Sequence, residues 1–116
     1  MKTLTLSLKR KWFDMIKSGE KKEEYREIKT RYIEMFCEQL SIHGPNKYNN
    51  LDIGFHLLWP EELGYDHLVF TLGYPKADDT ERRLVFKNPR ISIGTGKPEW
   101  GAESGKQYFV ITWEDA

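Results

Sequence analysis

The apolar residues of this chain are scattered in short groups, and this pattern most limits the folds open to it. The uninterrupted apolar runs are as short as Leu57-Leu58-Trp59 and Phe109-Val110-Ile111, whereas a membrane-spanning helix needs about 20 apolar residues in succession. Short groups are typical of amphipathic helices and half-buried strands that share one core. We therefore expect no membrane partner, and the 116 residues predict a single domain over residues 1–116.

The spacing of apolar residues predicts an α+β chain. Period-two alternation favours a strand at Thr3–Leu8, and the helical spacing of Trp12, Met15 and Ile16 favours a helix over residues 9–18. A second helix is predicted from Thr30 to about residue 40. Extended segments are predicted at 22–29, 66–74, 82–87, 90–93 and 107–113, with loops at 41–52, 74–80 and 94–106. Several short strands and two helices indicate an α+β class with a small, strongly bent sheet or barrel.

Two basic blocks flank an acidic middle, although the formal net charge is zero. Residues 1–31 hold ten Lys or Arg against five Asp or Glu, and residues 82–106 hold six against two. Residues 32–81 hold two against nine. A polyanionic partner requires local positive field rather than a positive total, although such runs also occur on ordinary solvated surfaces.

Cysteine and histidine usage argues against disulfide and metal chemistry. Cys37 is alone, so no internal disulfide is expected, and it has the helical spacing of a core residue. His43, His56 and His67 lie too far apart in sequence for a structural zinc site. The first residues lack the apolar stretch of a signal peptide. We expect a cytoplasmic protein with no metal and no cofactor.

The segment of residues 19–26, Gly-Glu-Lys-Lys-Glu-Glu-Tyr-Arg, carries the most chemical information. On an extended strand Glu24 and Arg26 point to the same face, with Cα atoms about 6.5–7 Å apart. Lys21 follows the turn at Gly19 and can reach the same place. A lysine, a carboxylate and a guanidinium together suit a phosphate or a polar nucleobase. The alternative is a surface strand with cross-strand ion pairs.

A second candidate site lies in the glycine-rich loop of residues 94–101. Its glycines allow backbone N–H groups to approach an anion, and Lys97 adds positive charge. Trp100 is positioned to stack on a base, or to pack back and fix the loop. The loop lacks the spacing of a nucleotide-binding P-loop.

The pattern Gly19-x-Lys21-x-x-Glu24-x-Arg26 resembles the GxKxxExR signature of the ASCH domain, a relative of the PUA domain. The resemblance extends to the opening strand and helix, to the strand around residues 68–74 and to the C-terminal half of the chain. Residues 42–65 are longer than in compact members. The resemblance implies a small PUA-like β-barrel of five to six mixed strands with flanking helices, and a cleft along the motif that binds RNA or another nucleic acid.

One branch of ASCH-like proteins hydrolyses the acetyl amide of N4-acetylcytidine nucleosides with a Lys, a Thr and a Glu. Lys21 matches the lysine of that branch, but Glu24 stands where its threonine is found. A carboxylate is a poorer acyl acceptor than a threonine, yet Glu24 can act as a general base toward water. The resemblance therefore implies Lys21 and Glu24 as catalytic residues if the chain is an enzyme.

Three functions follow as hypotheses. The first is a nucleic-acid-binding domain that recognises RNA or a modified nucleotide. Its predicted binding residues are Gly19, Lys21, Glu24, Arg26, Lys97 and Trp100. The second is a small hydrolase acting on an N4-acylcytidine-type nucleoside or on RNA in the same cleft. The third is a protein-interaction module, which would present an exposed apolar patch.

Overall fold

The computed structural model describes residues 2–37 and 65–116. It contains five strands: β1 (Thr3–Leu8), β2 (Glu24–Glu27), β3 (His67–Leu72), β4 (Arg83–Thr95) and β5 (Gln107–Asp115). The helices are α1 (Arg10–Lys17) and α2 (Thr30–Cys37), with short 3-10 turns at Thr80–Arg82 and Pro98–Trp100. The elements predicted for residues 38–64 lie outside the described residues. The longer insertion inferred for residues 42–65 also falls almost entirely there.

The five strands form one mixed sheet in the order β1-β3-β4-β5-β2. Strand β1 runs parallel to β3, whereas β3 pairs with β4 and β2 pairs with β5 in antiparallel fashion. Strands β1 and β2 stand at the two ends of this order, so the sheet is open in the part of the chain described. This confirms the α+β class but not the closed PUA-like barrel, because closure requires the two outermost strands to pair.

By proximity of Cα atoms the chain divides into two compact units. The first unit comprises Met1–Glu23, Tyr65–Pro89 and Thr112–Ala116, and the second comprises Glu24–Gly64 and Arg90–Ile111. The prediction of one domain over residues 1–116 stays a prediction.

The core of the first unit follows directly from the alternation in β1. Leu4 and Leu6 are buried and lie opposite Leu68 and Phe70 of β3 in the parallel register. Burying each such side chain contributes about 1.5–3 kcal/mol to the free energy of folding. Helix α1 buries Phe13 and Ile16, whereas Trp12 and Met15 are only half-buried. The aromatic cluster of Phe70, Phe86 and Trp113 completes this core.

Strand β4 differs from the sequence prediction, which placed two separate strands at 82–87 and 90–93. It runs without interruption from Arg83 to Thr95, although Pro89 lacks the N–H that a strand interior normally uses. Asn88 adopts a left-handed backbone with φ of 51°, a conformation that Asn tolerates better than most residues. Its N–H donates to the carbonyl of Asp66 at 2.9 Å. This local adjustment accommodates the Asn-Pro pair, so the strand continues beyond it.

An exposed loop joins β3 to β4. Arg83 holds it by donating to three backbone carbonyls, those of Lys76 at 2.6 Å, Asp79 at 2.9 Å and Pro75 at 3.2 Å. The hydroxyl of Thr71 donates to the carbonyl of Gly73 at 2.8 Å. The loop presents Tyr74, which is 93% exposed. The loop conformation is thus fixed by hydrogen bonds from the two flanking strands.

Candidate functional site

In the second unit, β2 and β5 form an antiparallel pair whose two faces carry different residues. Glu24 lies opposite Ile111 and Arg26 lies opposite Phe109. Because side chains alternate along a strand, these four share one face. Ile111 and Phe109 are fully buried. Glu24 and Arg26 therefore stand on an apolar side of the pair. Their spacing in the sequence predicted that they share a face but left open whether that face is buried.

Glu24 and Arg26 form an ion pair in a largely dry place. The Arg26 Nη2 donates to Glu24 Oε2 at 2.8 Å, and the two side chains are only 14% and 9% exposed. A guanidinium–carboxylate bond of this length is charge-assisted and strong. The alternative of an exposed surface ion pair, considered from the sequence, does not fit these exposures.

Helix α2 packs on the same face of the β2–β5 pair. Phe36 meets Phe109 edge-on, with ring centroids 5.0 Å apart. Tyr32 stacks on Phe36 at 6.0 Å and an interplanar angle of 21°. Its hydroxyl accepts a hydrogen bond from Arg26 Nη1 at 3.3 Å. Arg26 thus bridges Glu24 on its own strand and Tyr32 on the helix.

The opposite face of the pair is covered by the chain around residues 94–106. Tyr25 lies there against Tyr108, with ring centroids 5.8 Å apart. The Tyr25 hydroxyl accepts a hydrogen bond from the backbone N–H of Lys97 at 3.0 Å, and the Tyr108 hydroxyl accepts one from the N–H of Glu103 at 2.9 Å. Two tyrosine hydroxyls therefore fix this part of the chain at two points.

The second predicted site, Lys97 and Trp100, belongs to this covering segment. The Lys97 Nζ lies 4.4 Å from the centroid of the Trp100 ring, while the indole is half-buried and Lys97 is exposed. The segment is anchored on Tyr25, which points away from the face of Glu24 and Arg26. Among the described residues, the second unit thus carries two candidate surfaces, one on each side of β2.

The remaining motif residues, Gly19 and Lys21, belong to the first unit. Gly19 follows α1 with φ of 86°, in the left-handed region expected of a glycine after a helix. Lys21 is 1% exposed, an unusual burial for a lysine. Its N–H donates to the carbonyl of Met15 at 3.0 Å, and its Nζ lies 4.9 Å from the centroid of Trp12. A cation over an indole ring offsets part of the cost of desolvation.

Sequence reasoning missed Tyr25 and Tyr32. The Tyr25 hydroxyl binds the backbone N–H of Lys97, and the Tyr32 hydroxyl binds Arg26. Tyr25 lies inside the motif, between Glu24 and Arg26, so its side chain points to the opposite face of β2. Its role is visible only from its contacts on that face. Tyr32 is predicted to be helical, but its contact with Arg26 depends on where α2 packs.

Among residues 2–37 and 65–116, no group of three or more His, Cys, Asp or Glu side chains is arranged to hold a metal ion. No helix in the same residues is long and apolar enough to cross a membrane. The chain matches no protein-family model, no curated protein and no solved structure with which it was compared.

Proposed function

We propose that the chain binds RNA or a modified nucleotide, and that Glu24 and Arg26 contact the polar edge of a base. The observation that supports this most is the ion pair itself, at 2.8 Å and with both side chains nearly buried. Replacing such a pair by apolar residues of similar volume is often neutral or stabilising. A gain in stability is therefore a weak explanation for an Arg and a Glu at these positions. A role in recognising a ligand explains them better.

The chemistry of the pair suits a nucleobase. A carboxylate accepts hydrogen bonds from an exocyclic amino group, and a guanidinium donates to ring nitrogens and carbonyl oxygens. Because β2 and α2 hold both groups in place, a base finds them already oriented. The match of Gly19, Lys21, Glu24 and Arg26 to the ASCH signature supports the same class of ligand.

Trp100 offers a second contact in this proposal. Its ring is half-buried, and the Nζ of the exposed Lys97 lies 4.4 Å from the ring centroid. Aromatic side chains stack on bases of any identity, which contributes about 1–3 kcal/mol per base. A base that stacks on the exposed part of the indole would find Lys97 within reach of its phosphate.

A hydrolase is the alternative, favoured by the burial of two ionisable residues. As whole residues, Lys21 and Glu24 are 1% and 6% exposed, and buried ionisable groups are enriched in catalytic sites. As a general base, Glu24 would take a proton from water while its other lone pairs accept from Arg26. The threonine of the amidohydrolase branch is replaced by Glu24, so the binding role is preferred.

The test is fluorescence anisotropy of a labelled single-stranded RNA at two salt concentrations. Contacts from Lys and Arg release counterions, so affinity should fall as salt rises. Arg26→Gln should weaken binding, whereas Arg82→Gln is the matched control because Arg82 is 58% exposed and lies in the other unit. RNA that does not bind at low salt, or binds with an affinity indifferent to salt, would contradict the proposal and favour a protein-interaction module.

A further inference from the structure

Three cationic groups surround the ring of Tyr32 in the second unit. The Arg26 Cζ and the Lys29 Nζ each lie 5.7 Å from the ring centroid, and the Arg31 Cζ lies at 5.5 Å. Only Arg26 belongs to the GxKxxExR pattern. Lys29 and Arg31 stand beside Tyr32 because the turn from β2 into α2 brings residues 29–32 next to the strand.

The positive charge of this cluster is only partly balanced. Arg26 is paired with Glu24, but within the described part of the chain no carboxylate forms an ion pair with Lys29 or Arg31. Both of these side chains are exposed. Like charges that converge on one place raise its electrostatic potential and favour an anion there.

The Tyr32 hydroxyl adds a directed donor to the two cations. Its oxygen accepts from Arg26 at 3.3 Å, and a phenol that accepts one hydrogen bond still has its own proton to donate. Stacking on Phe36 holds the ring in place. An ammonium with three donors, a planar guanidinium and a hydroxyl are the groups that recognise phosphate oxygens.

We propose that Lys29, Arg31 and the Tyr32 hydroxyl bind the phosphate group of a nucleotide whose base contacts Glu24 and Arg26. The assignment of the base rests on the function proposed above, whereas the affinity for phosphate does not. Arg26 couples the two parts because it is bonded to Glu24 on one side and to Tyr32 on the other. The ligand is then a nucleotide or RNA rather than a free nucleoside.

The experiment is an NMR titration of the full chain with inorganic phosphate, with each of the four nucleoside 5′-monophosphates, and with the parent nucleosides. We expect at least one monophosphate to bind about tenfold or more tightly than its nucleoside, since two charge-assisted contacts are added. The double variant Lys29→Gln/Arg31→Gln should abolish this difference and leave nucleoside affinity within about twofold.

The matched control is Lys87→Gln/Arg90→Gln, which removes two exposed positive charges elsewhere and should retain the preference for monophosphates. Tyr32→Phe keeps the ring but removes the hydroxyl, and should weaken monophosphate binding by a smaller factor. Thermal melts verify that each variant is folded. Equal affinity for nucleosides and monophosphates, or equal losses in the two double variants, would overturn the phosphate site.

Two further outcomes separate this inference from the proposed function. If ribose 5-phosphate binds as well as every nucleotide, and through Lys29 and Arg31, the phosphate site stands and base recognition fails. A phosphoserine peptide that binds more tightly than any nucleotide would overturn the assignment to nucleotides.

Discussion

The hydroxyl of Tyr25 accepts a hydrogen bond from the backbone N–H of Lys97 at 3.0 Å, although the two residues are 72 positions apart in the chain. This bond fixes the segment that carries Trp100 to the strand that carries Glu24 and Arg26. It also places that segment on the face of β2 opposite the ion pair. The geometry of the Trp100 surface therefore depends on a residue within the motif.

Tyr25→Phe should release this attachment. Loss of one hydrogen bond to a partly buried hydroxyl should lower the free energy of unfolding by about 0.5–1.5 kcal/mol, and the Lys97 amide should exchange with solvent faster. Urea denaturation and amide exchange by NMR measure the two effects. Tyr74→Phe is the control, because that ring is 93% exposed and should change neither quantity. Unchanged exchange at Lys97 in Tyr25→Phe would contradict the role assigned to this hydroxyl.

Gly96 is required by the packing around it. A Cβ built at this position lies 2.7 Å from the Cβ of Ala102 and 2.7 Å from atoms of the Tyr25 ring. Gly96→Ala should therefore cost about 1–3 kcal/mol of stability through overpacking. At Gly94 the nearest atom, on Val110, is 3.9 Å away, so Gly94→Ala is the matched control and should be nearly neutral. Equal denaturation midpoints for the two variants would refute this explanation.

Individual strands and helices could be predicted from the sequence because each depends on the spacing of residues close together in the chain. Alternation alone placed β1 and the shared face of Glu24 and Arg26, and helical spacing placed α1. The continuity of β4 was not predicted, because an Asn-Pro pair ordinarily ends a strand, and only the bond from the Asn88 N–H to Asp66 reveals how the chain passes through it.

The site was only half predictable for a related reason. The pairing of Glu24 with Arg26 depends on residues two apart, but the contacts of Tyr25 with Lys97 and of Tyr32 with Arg26 depend on tertiary packing. The sequence predicted Trp100 and the motif as two candidate sites without placing one relative to the other. The two sites lie on opposite faces of β2. Neither the charge nor the composition of the sequence distinguishes these two faces.

Arg83 gives a prediction for the first unit. Its guanidinium donates to the carbonyls of Pro75, Lys76 and Asp79, a forked arrangement that a lysine ammonium cannot reproduce. Arg83→Lys should lower stability by about 1.5–3 kcal/mol and increase amide exchange across residues 75–79. Arg82→Lys is the control, because its ion pair with Asp79 is largely exposed and should contribute about 0–1 kcal/mol. Indistinguishable variants would show that the loop does not depend on Arg83.

The ion pair of Glu24 and Arg26 separates the remaining hypotheses. Glu24→Ala leaves a guanidinium in a nearly dry place without its carboxylate, which should cost about 3–5 kcal/mol of unfolding free energy. Glu24→Gln should cost less, because the amide oxygen still accepts from Arg26. The matched control is Lys106→Ala. It breaks the exposed 3.9 Å ion pair between Lys106 and Glu27, a residue of β2 like Glu24 and Arg26. This change should lower the free energy of unfolding by about 0–1 kcal/mol.

The same proteins decide between a binder and a hydrolase. A glutamine cannot act as a general base, so a hydrolase should lose nearly all turnover of N4-acylcytidine nucleosides or of short RNA in Glu24→Gln while still binding them. A binder has no turnover to lose, and Glu24→Gln should change only its affinity or its preference among bases. We expect the second result. Wild-type turnover that disappears in both Glu24→Gln and Lys21→Ala, with both variants folded by thermal melting, would make the hydrolase the correct assignment.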